Sequence, residues 1–162
     1  MRISKLKREY AFTLIELLCV IALLGMITMI AVPVISNLGR SKDLESAART
    51  LATDLRKAQH KAIMVGRNQR VNFRYDVNDN NHYTITDTNT GETEHLFFPE
   101  GITYRAVTFP IIERYRGVAF KYTGVTYPGG TVWLTNSAGD GLYVIVTPVT
   151  GRVRISDKPP DD

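Results

Sequence analysis

Hydrophobic positions fall into three regimes along the chain. From Phe12 to Ile35 nearly every position is apolar, and Glu16 is the only residue there with an ionisable carboxyl or amine. This run of about 24 residues spans roughly 36 Å as a helix, enough to cross a bilayer. Further on the apolar residues space out. Leu44, Leu51, Leu55, Ala58, Ala62 and Val65 advance by sevens, fours and threes, which is one face of a helix. Glu45 and Arg49 stand four apart on another face. Gly66 suits a left-handed cap and is the expected stop. Pro33 removes one backbone bond inside this helix, and Gly25 adds a second weak point.

From Val71 the period drops to two. Val71, Phe73 and Tyr75 alternate with Asn72 and Arg74, and Tyr83 and Ile85 with Thr84 and Thr86. Leu96–Phe98, Val118–Tyr122, Thr131–Thr135, Leu142–Thr147 and Arg152–Ile155 read as further strands. They are divided by Gly129-Gly130, Gly139-Asp140-Gly141 and Thr150-Gly151. Residues 110–116 read as a loop. The predicted class is α+β: a long N-terminal hydrophobic helix whose C-terminal half packs on an antiparallel β-sheet head.

Charge changes this picture at one end only. The formal net charge is +4, but Arg2, Lys5, Lys7 and Arg8 precede the apolar run with only Glu9 against them. Removing residues 1–11 would leave about +1. The positive charge therefore speaks to topology first, holding that end in the cytoplasm and putting the C-terminal part outside. Arg49, Arg56, Lys57, His60, Lys61, Arg67 and Arg70 give the helix end a basic side, read as a solvated face with charges matched to the macrodipole.

Candidate chemistry is sparse. The single cysteine, Cys19, lies in the apolar run, so no disulfide staples the head. His60, His82 and His95 show no metal spacing and read as surface residues. There is no phosphate loop, no nucleophile elbow and no spaced ligand set, so neither an enzyme nor a cofactor is expected. Gly139-Asp140-Gly141 reads as a hairpin turn.

Three explanations compete for the N-terminus. A secretory signal has an apolar stretch of only about 7–15 residues and a small-residue cleavage site after it, and neither is present. A plain signal anchor fits the basic start and long span, but gives no reason for Glu16. A carboxylate costs on the order of 2–3 kcal/mol at the centre of a spanning helix, less near an end.

The third explanation is a resemblance. Residues Lys7-Arg8-Glu9-Tyr10-Ala11-Phe12-Thr13-Leu14-Ile15-Glu16-Leu17-Leu18 resemble the processing site of type IV prepilins and pseudopilins. The resemblance implies cleavage between Ala11 and Phe12 by a prepilin peptidase and N-methylation of Phe12. It implies pairing of Glu16 with a terminal amine during filament assembly, and a helix bend at Gly25 and Pro33. The family usually has Gly before the cut, where this chain has Ala11, and cleavage is expected to survive that smallest of replacements. The implied divisions are a leader (1–11), a membrane or filament-core half-helix (12–35), an outer half-helix (36–66) and a head (67–162).

The order of anchor, Leu51-Ala52-Thr53-Asp54-Leu55-Arg56-Lys57-Ala58-Gln59, Gly66, strands and a closing Thr150-Gly151-Arg152-Val153-Arg154-Ile155 hairpin is similar to the GspH/FimT group of minor pilins and pseudopilins. Two functions follow as expectations. A FimT-like minor pilin would assist pilus assembly and bind DNA for uptake through Gly151, Arg152 and Arg154, extended by Lys158. A GspH-like pseudopilin would be a structural part of a type II secretion piston. In both cases the implied partners are other major and minor pilins or pseudopilins, the peptidase and the inner membrane, with a single pass and the head outside the cytoplasm.

Overall fold

The computed structural model describes residues 13–73, 80–112 and 115–160, with the side chains of 30–38 and 112 outside the description. Residue 75 and the turn 76–79 of the predicted first hairpin lie outside the described residues. One helix, α1 (Leu14–Val65), is followed by strands only. The chain divides into two units, one ending at Leu38 and the other beginning at Gly39.

In the first unit the large apolar side chains from Leu14 to Met29 are exposed. Among the described residues no helix is long and apolar enough to cross a membrane. The described apolar stretch stops at Met29, inside the predicted span 12–35.

The second unit holds the core. Leu44, Ala47, Ala48, Leu51, Ala52, Leu55, Ala58 and Ala62 form the buried face of α1. Alanine at five of these eight positions lets the strands approach the helix axis closely, with the three leucines filling the gaps. Val65 departs from the expected face: the last residue of α1, it is 49% exposed. Gly66 follows at φ +68, where a residue with a Cβ would be strained.

Two antiparallel sheets cover this face. The first is built from β1 (Gln69–Phe73), β2 (His82–Asp87), β3 (Thr93–Phe97), β5 (Ile111–Ile112) and β6 (Tyr115–Phe120) in the order β3-β2-β1-β6-β5, with β7 (Thr126–Tyr127) also on β6. The second comprises β4 (Ile102–Val107), β8 (Gly130–Asn136), β9 (Gly141–Val146) and β10 (Val153–Ser156) in the order β10-β9-β8-β4. Phe73, Phe109 and Phe120 are fully buried, and the Phe73 ring lies 5.8 Å from those of Phe109 and Tyr104.

Several sequence expectations are corrected here. Strand β4 was not expected, because its register shifts between Tyr104 and Ala106 and so hides the period of two. Residues 110–116, read as a loop, contain β5 and the start of β6. His82, read as a surface residue, is buried at 7% exposure, whereas His60 and His95 are exposed.

Candidate functional site

The N-terminal end of α1 is organised by two side chains. The Thr13 backbone N–H and hydroxyl both donate to Glu16 Oε2 at 3.0 Å, and the Glu16 N–H donates to Thr13 Oγ1 at 3.3 Å. Thr13 precedes the first helical residue and Glu16 is three on, so the pair forms a capping box. Sequence reasoning missed this, although Thr-x-x-Glu before an apolar run is its signature. The box supplies a local reason for Glu16 that the comparison with a plain anchor lacked. Ala11 and Phe12 lie outside the described residues.

The C-terminal edge is the second candidate. Arg152 and Arg154 are exposed, and Val153 between them is buried at the core. Strand β10 begins at Val153, so Arg152 stands just before it, its carbonyl accepting from the Thr147 N–H at 2.9 Å. Arg154 registers with Ile145 of β9. Among the described residues neither arginine is within ion-pair distance of a carboxylate. Gly151 has φ +64, and a Cβ there would collide with Thr126 Oγ1 and the Gln59 amide. Lys158 is exposed on the tail beyond β10.

This edge is fastened to the helix by residues whose role the sequence did not betray. Arg56 Nη2 donates to the Val153 carbonyl at 2.9 Å, and Gln59 Nε2 to the Thr150 carbonyl at 3.1 Å. Arg56, read as part of a solvated face, is thus a tie between α1 and the last hairpin. A second tie runs to the first sheet. The Tyr83 hydroxyl donates to Asp54 Oδ2 at 2.6 Å, and Lys57 Nζ reaches Asp54 Oδ1 at 3.1 Å. Burial, the bond to Asp54 and the negative charges of Asp54 and Glu94 push the Tyr83 hydroxyl well above the usual tyrosine range.

The Gly139-Asp140-Gly141 turn is a scaffold. Asn136 Nδ2 and Ser41 Oγ both donate to Asp140 Oδ2, at 2.9 and 3.2 Å. Asp87 organises the β2–β3 turn in the same manner. Its carboxylate accepts from the Asn89 and Thr90 N–H groups and from Gln69, which hold its pKa below the ordinary range. Among the described residues no group of three metal-ligating side chains converges.

Residues 6–32 match the prokaryotic N-terminal methylation motif. A motif of this kind implies a membrane-anchored filament component. No curated protein matches the chain by sequence. Among solved structures, the minor pseudopilin EpsH from the type 2 secretion system of Vibrio cholerae is similar at 17% identity. It covers 70% of this chain and 96% of its own, with a TM-score of 0.53. The Pseudomonas aeruginosa type IV minor pilin FimU is similar at 16% identity, covering 74% and 90%, with a TM-score of 0.52. The chain is pilin-like. Its long helix and antiparallel sheets are the fold of the minor pilins and pseudopilins, and its methylation motif contains Ala11, Phe12 and Glu16. In this pilin-like chain the motif and the arginine edge belong to different units.

Proposed function

We propose that the chain is a minor pilin, made as a precursor, cut between Ala11 and Phe12 by a prepilin peptidase and N-methylated on Phe12. Residues 12–35 then hold it in the inner membrane in a single pass, 36–66 continue the helix outward, and 67–162 form a head outside the cytoplasm. The observation that carries this reading is a methylation motif on a chain whose head has the minor pilin and pseudopilin fold. Glu16 pairs with the amine of Phe12, or a neighbour's, as the subunit joins a filament of other pilins, which offsets the cost of a carboxylate in lipid. Gly25 and Pro33 are the points at which the anchor helix bends. Thr28 Oγ1, bonded to the Leu24 and Gly25 carbonyls, favours that bend.

The head binds DNA through the backbone, without reading sequence. Arg152 and Arg154 grip phosphates with bidentate bonds, Gly151 permits the turn that presents them, and Lys158 extends the patch. Titration of labelled duplex DNA with the mature full-length chain in neutral detergent tests this. Binding should weaken steeply with salt, about 0.9 in log–log slope per phosphate contact. The double variant Arg152→Gln/Arg154→Gln should abolish binding with the fold intact. Absence of binding by the unaltered chain at low salt would favour a second reading, a structural subunit of a type II secretion piston. The nearly equal TM-scores to EpsH and FimU, 0.53 and 0.52, keep that reading in view.

A further inference from the structure

The second sheet turns one face to the core and the other outward. Val132 and Leu134 of β8, Val144 and Val146 of β9 and Val153 of β10 are buried in the core. Alternation therefore sends Trp133, Tyr143 and Arg154 to the opposite face. There the side chains form a stack. The guanidinium carbon of Arg105, on β4, lies over the Trp133 ring, 4.9 Å from its centre. Trp133 registers with Tyr143, and their rings stack at 5.5 Å with 15° between the planes. Gly141 makes room for the indole, since a Cβ at that position would collide with Trp133 Nε1. Beyond Tyr143 the register reaches Ser156 of the edge strand β10, whose side chain is too short to cover a phenol ring. The stack ends at Tyr143.

Charge also sets this face apart. Strands β4, β8, β9 and β10 contain no acidic residue, whereas the first sheet carries Asp87 and Glu94. The acids that flank them are Asp140, held at its turn by Asn136 and Ser41, and Asp157, next to Lys158 past the end of β10. Arg105 and Arg154 are both exposed, and among the described residues neither has a carboxylate within ion-pair distance. They stand on the two edge strands of the sheet, three interstrand spacings or roughly 14 Å apart. Arg154 and Ser156 are two apart on β10, so both side chains leave this face beside Tyr143. Ile145, registered with Arg154, lies outside the core cluster yet is buried, so the floor between the arginines is apolar.

We propose that this face binds a single strand of DNA, one base stacking on the free side of Tyr143 above Ser156 and the phosphates running from Arg154 towards Arg105. The inference rests on the reading that the head binds DNA, and it names the form of DNA. Arginine–phosphate contacts alone would suit a duplex equally well. A duplex keeps its base faces stacked inside and offers nothing to an aromatic ring, whereas an unpaired strand presents them. Every base has such a face, so the contact is as indifferent to sequence as the arginines are. Trp133 and Arg105 back the phenol ring, so it is set in place before a strand arrives.

Fluorescence anisotropy of the mature full-length chain in neutral detergent tests this with labelled probes of equal length. They are an oligodeoxythymidylate, a single strand of abasic sites with the same number of phosphates, and a duplex. Thymidylate should bind at least about fivefold more tightly than the abasic strand, the effect of one stacked base. Tyr143→Leu should remove that difference and Tyr143→Phe should keep it. Arg105→Gln should lower the slope of log K against log salt on the single strand by about 0.7, whereas Tyr143→Leu should leave the slope as it is. The abasic comparison uses the unaltered chain, so it decides even where a substitution disturbs the fold. Equal affinity for thymidylate and abasic strands, or thymidylate binding indifferent to Tyr143→Leu, would overturn this proposal, and duplex binding would then leave the DNA reading standing. If no probe binds at low salt, the DNA reading itself fails and this proposal with it.

Discussion

The two halves of α1 share one backbone geometry and differ in what surrounds them. From Leu14 to Met29 large apolar side chains project on all sides and are exposed. From Leu44 to Ala62 the apolar residues keep to one face, five of the eight are alanine, and all are buried. The first half is written by composition, and substitution of one apolar residue for another should matter little there. The second half is written by shape, and each methylene counts. The one residue of the first half that composition does not explain, Glu16, is held by a specific contact with Thr13.

The sharpest way to break this comparison is at Glu16, where two explanations coexist. Glu16→Gln keeps the capping box, since glutamine serves at that position, but removes the charge. Glu16→Ala removes both. If charge pairing governs assembly, both variants should enter the membrane normally and be lost from filaments, as read by recovery of partner pilins from extracted membranes. If Glu16→Gln assembles like the unaltered chain, the cap is the whole role of this residue.

A core substitution should show the opposite profile. Leu51→Ala, at a fully buried position, should destabilise the head by about 2–5 kcal/mol in denaturant melts and leave N-terminal processing unchanged. A matching Leu23→Ala in the exposed first half should leave the head's unfolding midpoint where it was.

A smaller effect sharpens the helix–sheet contact. Tyr83→Phe deprives Asp54 of its hydroxyl donor and should cost about 1.5–3 kcal/mol. The sign with pH follows from the direction of the Tyr83 shift. The folded state holds the phenolic proton more tightly than the unfolded one, so this stabilisation is complete below the ordinary tyrosine pKa of 10.0 and is lost as pH rises beyond it. Alkaline melts of the unaltered head should therefore fall more steeply above pH 10 than those of Tyr83→Phe.

What the sequence made legible follows the same division. The helix face from Leu44 to Ala62, the stop at Gly66 and the α+β class were readable because periodicity reports them directly. The partition into two sheets was not, since strand order depends on contacts distant in sequence, as where β1 joins β6. Strand β4 escaped because its bulge breaks alternation, and β5 and β7 because two residues are too few to show a period. Arg56 looked solvated because its charge suggested water, when its partner is the carbonyl of Val153, 97 positions away. His82 sits on the outward register of β2 yet is buried, since the neighbouring strands and the Phe97 ring, 5.3 Å away, close over it.

The central claim is that this chain is a processed pilin subunit, and the N-terminus tests it most directly. Intact-mass analysis of the full-length protein, extracted from membranes of cells that contain a prepilin peptidase, should give a chain lacking residues 1–11 and carrying one added methyl group on Phe12. An uncut chain, or a mature start at any other residue, would contradict the account.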